Sequence, residues 1–233
     1  MLKNYYKFIL FLIVILAIFS CSGENGSIFK PKRVSPPSIE DRVALSQAEN
    51  LGRASWQQPT FIVGKLAKLE GKTVADIGSG TGYFTFQLAH KKANVIAIDI
   101  DKEMLAFIEK KKLAFIDTYK SDISPNIETR LAEPNNPMLR IEEVDKALIV
   151  NTIGYIENLS AYLKTLKLGI VKGGLLVISD YKAPAMNVPS PSEEKIVSVV
   201  KLKQDLLKAG YVNITVDDTT LQYQYVVTAE VPE

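Results

Sequence analysis

Val74-Ala75-Asp76-Ile77-Gly78-Ser79-Gly80-Thr81-Gly82-Tyr83-Phe84 decides the fold. An apolar run leads into an acid, then three glycines at alternate positions, then an amphipathic pattern. That order predicts a strand, a tight backbone loop and a helix opening at Thr81 or Gly82. Glycines suit such a loop because the chain turns sharply and a ligand can approach the backbone with no Cβ in the way. The free N–H groups and positive dipole end of the helix face whatever binds. A dinucleotide loop needs glycine or alanine three residues after its second glycine, where this chain has the bulky Tyr83. A nicotinamide oxidoreductase is disfavoured on that ground. A P-loop ends in Gly-Lys-Ser/Thr, and no lysine stands in this loop.

What remains is D-x-G-x-G-x-G, with Asp76 two residues before Gly78. An acid there repels a pyrophosphate but suits a ligand carrying an ammonium. About 20 residues further on, Asn94-Val95-Ile96-Ala97-Ile98-Asp99 reads as a second strand ending in an acid, the spacing of a ribose-binding carboxylate. Together these stretches resemble the nucleotide-binding motif of class I S-adenosylmethionine-dependent methyltransferases. The resemblance covers roughly residues 41 to 230 and implies a doubly wound α/β sheet, Rossmann-like, of seven strands in the order 3-2-1-4-5-7-6 with the last strand antiparallel. It also implies a site. The backbone of Gly78, Ser79, Gly80 and Gly82 would cradle the methionine portion of S-adenosylmethionine, and Asp76 would hold its amino group. Asp99 would hold the ribose, and Ile100 and Met104 would pack near the adenine, with core packing as the equal alternative for Met104. The adenine amino group would fall to Glu133 or Asn135, with a plain turn as the alternative.

The remaining pattern is consistent with that sheet. Asp41 to Lys68 reads as helical, with Leu45, Ala48, Leu51, Phe61, Ile62, Leu66 and Leu69 on apolar faces. Trp56 within it would line a pocket or anchor the packing. Asp101 caps a helix carrying Met104, Leu105, Ile108, Phe115, Ile116 and Tyr119. Ile127 to Leu131 is a third strand and Asp145 to Asn151 a buried fourth. Asn151 and Tyr155 follow at the carboxyl end of that central strand, where open α/β sheets bind ligands, and are the substrate-side candidates. Relatives with Asn-Thr there often continue with paired histidines, whereas this chain has Gly154 and Tyr155, so no catalytic acid or base is identified. A helix then places Leu159, Tyr162, Leu163, Leu166 and Ile170 on one face. The fifth strand runs to Tyr181, and residues 183–192 form a proline-rich connector or lid. Ser192 caps a last helix burying Ile196, Val199, Val200 and Leu207, and strands Tyr211–Val216 and Leu221–Ala229 finish the chain.

The 233 residues are 47% hydrophobic with formal charge +2, enough for one well-cored domain and a tail. Lys3 and Lys7 precede an apolar run from Phe8 to Phe19, well short of the ~20 residues that span a bilayer. Residues 1–20 are the signal segment this layout predicts. Ile18-Phe19-Ser20-Cys21 resembles a bacterial lipobox, which implies acylation of Cys21, the only cysteine. Residues 21–40 then form the acylated cysteine and a flexible tether, and 41–233 the folded domain. The expected location is the bacterial cell envelope, with an inner-membrane anchor and cytoplasmic domain as the alternative. Without residues 1–20 the chain keeps 28 less two basic residues against 26 acidic, formally neutral, which argues against general nucleic-acid binding. One cysteine and one histidine leave no His/Cys metal cluster and no internal disulfide.

The expected function is methyl transfer from S-adenosylmethionine to a small-molecule acceptor, lipid-like if the membrane segment guides it. No metal is expected. The alternative is an inactive lipoprotein that uses the same fold to bind a ligand or partner.

Overall fold

A computed structural model describes residues 38–50, 52–119 and 126–233. The apolar run from Phe8 to Phe19, Cys21 and nearly all of the tether lie outside them, and so does Leu51. The leading segment is not one helix but three, α1 (Ile39–Asn50), α2 (Arg53–Trp56) and α3 (Pro59–Gly64). Gly52 (φ 83°) and Gln58 (φ 49°) break it by taking left-handed backbone conformations that no helix tolerates. Leu45, expected on an apolar face, is exposed.

The sheet follows the expected order, β3-β2-β1-β4-β5-β7-β6. Its strands are β1 (Thr73–Ile77), β2 (Asn94–Asp99), β3 (Ile127–Leu131), β4 (Val144–Val150), β5 (Ile170–Tyr181), β6 (Val212–Asp217) and β7 (Gln224–Glu230). The first five pair in parallel, and β7 runs antiparallel to both β5 and β6.

Alternation along the strands divides the core in two. Val74, Val95, Ala97, Leu148, Val150 and Val177 pack on one face beneath α3, α4 (Tyr83–His90) and α5 (Lys102–Tyr119). Ala75, Ile77, Ile96, Ile98, Ala147 and Ile149 pack on the other beneath α6 (Leu159–Gly169) and α7 (Val199–Ala209). Asp76 shares the Val74 face and is therefore aimed at α4.

Two helix boundaries differ from the sequence reading. Ile170 is extended and opens β5 rather than closing α6. The last helix begins at Val199, where the hydroxyl of Ser198, not Ser192, accepts the Lys201 N–H at 3.2 Å. Its buried stripe is Leu202, Leu206 and Ala209, so Val200 and Leu207 face solvent. The 3-10 turn Glu193–Lys195 and the extended residues after it delay the helix, and the later start selects which side meets α6. The side chains of Phe115, Ile116 and Tyr119 lie outside the described set.

Candidate functional site

The glycine loop is tied to β2 before any ligand is considered. Gly78 and Ser79 donate to the Ile98 carbonyl at 2.8 and 3.1 Å, and Gly80 N–H donates to Asp99 Oδ2 at 2.8 Å. Asp99 Oδ1 accepts the Asp101 N–H at 2.9 Å. Each Asp99 oxygen thus uses one lone-pair direction on backbone and keeps another. Asp101 in turn accepts the Glu103 N–H at 2.9 Å, the cap expected for α5. Gly78 has φ 72°, and a Cβ there would lie 2.3 Å from Thr152 Oγ1. Only glycine lets the loop and the end of β4 approach so closely.

Asp76 is buried and accepts the Thr85 hydroxyl at 2.6 Å. Burial pushes its carboxyl up to about 6, against the Thr85 hydrogen bond, and the nearby Asp99 charge adds to the rise. A carboxylate held at such a cost to its charged form gains from a cation beside it.

Two cavities open at the carboxyl edge of the sheet. One, of about 330 Å³, is bordered by Asp76, the glycine loop, Arg53, Trp56, Tyr83 and Tyr181, with Pro189 to Pro191 from the 183–192 loop. The other, of about 230 Å³, is bordered by Asp99, Ile100, Ala132, Glu133, Pro134, Ile156 and Tyr162. Gly78, Asn151, Thr152 and Tyr155 border both. The structure therefore brings together Asp76, Gly78, Ser79, Gly80, Asp99, Ile100, Asn151 and Tyr155. Gly82 stands just behind as the α4 N-cap. Met104 is buried and borders neither cavity, nor does Asn135, whereas Glu133 borders the second. His90 is in the last turn of α4.

The end of β4 is held by side chains from distant segments. Asn151 has a positive φ of 56°, a conformation asparagine tolerates. Its Oδ1 accepts from Gln224 Nε2 and, at a long 3.5 Å, from Gln57 Nε2. Gln57 Nε2 also donates to Gln224 Oε1 at 3.0 Å, and both glutamines are fully buried. Asp180, buried at the end of β5, accepts the Ile153 N–H at 3.2 Å and the Tyr181 N–H at 2.8 Å. Burial lifts its carboxyl to about 6. Tyr162, read from sequence as packing alone, lies near enough to Asp99 for that charge to add to the burial that raises its phenol.

The site fits a nucleoside bearing an amino acid. Ser79 Oγ is buried without a protein partner among the described residues. A Cβ on Gly80 would meet nothing within 4 Å, so it would project into open space beside the loop. Among the described residues no cluster could hold a metal ion, and no helix is long and apolar enough to cross a membrane.

Fold and site together define a nucleotide-binding domain of the methyltransferase type. Residues 68–224 match the model of the methyltransferase domain family, about two thirds of the chain, and the chain belongs to that family. It is 35% identical over 83 residues to a cypemycin N-terminal methyltransferase from Streptomyces, covering 34% of each protein. It is 24% identical over 176 residues to phosphoethanolamine N-methyltransferase 1 of Arabidopsis thaliana, covering 72% of this chain and 34% of that one. The chain thus spans about a third of these curated relatives. The fold is shared with an S-adenosylmethionine-dependent methyltransferase from Aquifex aeolicus, with TM-score 0.70 and 23% identity over 82% of this chain and 98% of that one.

Proposed function

We propose that the domain transfers the methyl group of S-adenosylmethionine to a small-molecule acceptor. The carrying observation is the pair of cavities meeting at Gly78, Asn151, Thr152 and Tyr155, one holding Asp99 and the other Asp76 and Arg53. When bound, the co-substrate supplies a methyl group already activated by its sulfonium. Asp99 would accept from the ribose hydroxyls with its remaining lone pairs, and Ile100 and Pro134 offer the base an apolar wall. Asp76 and Arg53 complement the ammonium and carboxylate of an amino acid. Ser79 Oγ supplies a hydroxyl at the same loop. Asn151 and Tyr155 border the junction, where they would align an acceptor with the methyl group, and alignment is the main service the protein must give.

The N-terminal sequence supports a further reading: acylation at Cys21, a domain tethered in the bacterial cell envelope and a lipid-like acceptor. An inner-membrane anchor with a cytoplasmic domain is its alternative. Mass spectrometry of the membrane-extracted chain tests it, because an acyl-modified Cys21 at the new N-terminus is expected and an intact residue 1–21 segment contradicts it.

A non-catalytic binding module is the second reading, favoured by the position of the single histidine, His90, away from both cavities. Incubation of the full-length chain with isotopically methyl-labelled co-substrate and an extract of small molecules and lipids separates the two. Label in an acceptor is expected. Tight binding with no label transferred supports the module.

A further inference from the structure

We infer that the methyl acceptor is a carboxylate on a flat apolar body, which becomes a methyl ester; this rests on the methyltransferase reading above. The wall opposite the glycine loop is aromatic. Trp56 lies 6.0 Å from the Tyr181 ring and meets Tyr223 edge-on at 6.5 Å, and Pro189 and Pro191 close the same cavity. Flat apolar matter fits there.

With Arg53 taken up by the co-substrate carboxylate, Lys195 is a cation left on this side, standing over Tyr155 without itself bordering the cavity. Arg53 stacks its guanidinium 5.0 Å over the Tyr83 ring, and Lys195 sets its ammonium 5.4 Å over the Tyr155 ring. Both tyrosines border the cavity. Their faces already carry the protein's own cations, so they do not form an aromatic cage for an incoming ammonium. Lys195 is placed by close backbone packing: its carbonyl oxygen lies 1.8 Å from where a Cβ on Gly154 would stand. Glycine at 154 is what lets the 3-10 turn Glu193–Lys195 rest on the 3-10 turn Ile153–Tyr155. The neighbouring Glu194 carboxylate accepts from the Ser192 hydroxyl.

The acids decide the class. Asp76 is the one carboxylate among the described residues bordering this cavity, and it is buried against Thr85. A protonated amine would have to lose its proton here beside a sulfonium, with the Lys195 ammonium over the neighbouring Tyr155 ring. Thiols and phenols, with ordinary pKa values of about 8.5 and 10, also need a base, whereas a carboxylate is ionised at neutral pH unaided. In the transfer, a carboxylate oxygen forms the new bond to the methyl carbon. The carbon–sulfur bond breaks with its pair staying on sulfur, leaving a neutral thioether and a neutral ester. No proton moves.

The test uses the full-length chain in detergent, saturated with S-adenosylhomocysteine and titrated with benzoate and with benzylamine, which share a ring and differ in charge. Benzoate is expected to bind at least about tenfold more tightly. Lys195→Met should weaken benzoate by about tenfold without changing the affinity for S-adenosylhomocysteine, and Lys195→Arg should restore it. Benzylamine binding as well as benzoate or better, benzoate binding indifferent to Lys195→Met, or neither probe binding at millimolar concentration overturns the inference and leaves methyl transfer standing. Failure of S-adenosylhomocysteine itself to bind removes the methyltransferase reading instead.

Discussion

Two walls of the site, which meet at Thr152, are made from different materials. The Asp99 side and the glycine loop are built from chain neighbours and backbone: Ile98 carbonyl, Gly80 N–H and Asp101 N–H fix the loop and its acid within a span of 24 residues from 78 to 101. The wall around Asn151 and Trp56, proposed above as the acceptor side, is built from side chains that come from far apart. Gln57 and Gln224, 167 residues apart in sequence, meet at Asn151, and Trp56 meets Tyr181 and Tyr223. A backbone cradle is insensitive to most side-chain changes and recognises a constant co-substrate. A side-chain wall can change residue by residue and suits a particular acceptor.

The largest effect is expected where the loop backbone packs against the Thr152 side chain. Gly78→Ala forces a Cβ against Thr152 and a side chain into a positive-φ position, and should destabilise the fold by about 3 kcal/mol in thermal or denaturant unfolding. Thr152→Ala in the same chain should recover part of the loss. Gly80→Ala has room, so its cost to stability should be about 1 kcal/mol, with the methyl group weakening co-substrate binding instead. Equal destabilisation by the two would break the distinction between a packed and an open glycine.

Next comes pH. Asp76 must be ionised to hold an ammonium, and its carboxyl titrates near 6. Affinity for S-adenosylmethionine should therefore be level above that pH and fall by up to about tenfold per unit below it. The stability of the ligand-free protein runs the other way. A folded-state pKa raised above the unfolded value means the folded form holds the proton more tightly, so the contribution of Asp76 to stability declines as pH rises from about 4 through 6. Asp76→Asn should thus stabilise the protein at neutral pH by about 2 kcal/mol while weakening the co-substrate and flattening its pH profile. A variant that loses stability and keeps the profile would contradict this assignment.

A smaller and more selective effect is expected across the junction. Gln224→Leu removes two hydrogen bonds and leaves Gln57 and Asn151 only their long 3.5 Å contact, which should cost about 2 kcal/mol of stability. Its effect on affinity for S-adenosylmethionine should stay within about threefold, since the glycine loop is held by β2. A large loss of co-substrate affinity would show that the two sides are one unit.

The same difference in materials explains what could be read from the sequence. Asp76, the glycines, Asp99 and the cap at Asp101 announce themselves because the loop and its acid are local and the spacing is set by one strand–helix–strand unit; Ile100 came with the resemblance that unit carries. The sheet order was implied by the family resemblance that this unit carries, and the apolar strands after it agree with that order. Thr85 was missed, although a polar residue between Phe84 and Leu88 on a buried helix face is a usable signal. Gln57, Gln224 and Lys195 gave no such sign, because their partners are set by how loops and strand ends fold back over the sheet. Helix ends were misjudged at Ile170 and Val199 for a related reason: apolar periodicity continues through a residue that tertiary packing has already made extended.

The most direct measurement is calorimetric titration of S-adenosylmethionine into the full-length wild-type chain and into Asp99→Ala, with folding of both checked by thermal unfolding. Binding near the micromolar range in the wild type, weakened by about a hundredfold or more in the folded variant, is the predicted result, because Asp99 both braces Gly80 and faces the nucleoside cavity. A folded wild-type chain that binds no S-adenosylmethionine, or binds it equally well without the Asp99 carboxylate, would contradict the assignment of the two cavities to one co-substrate.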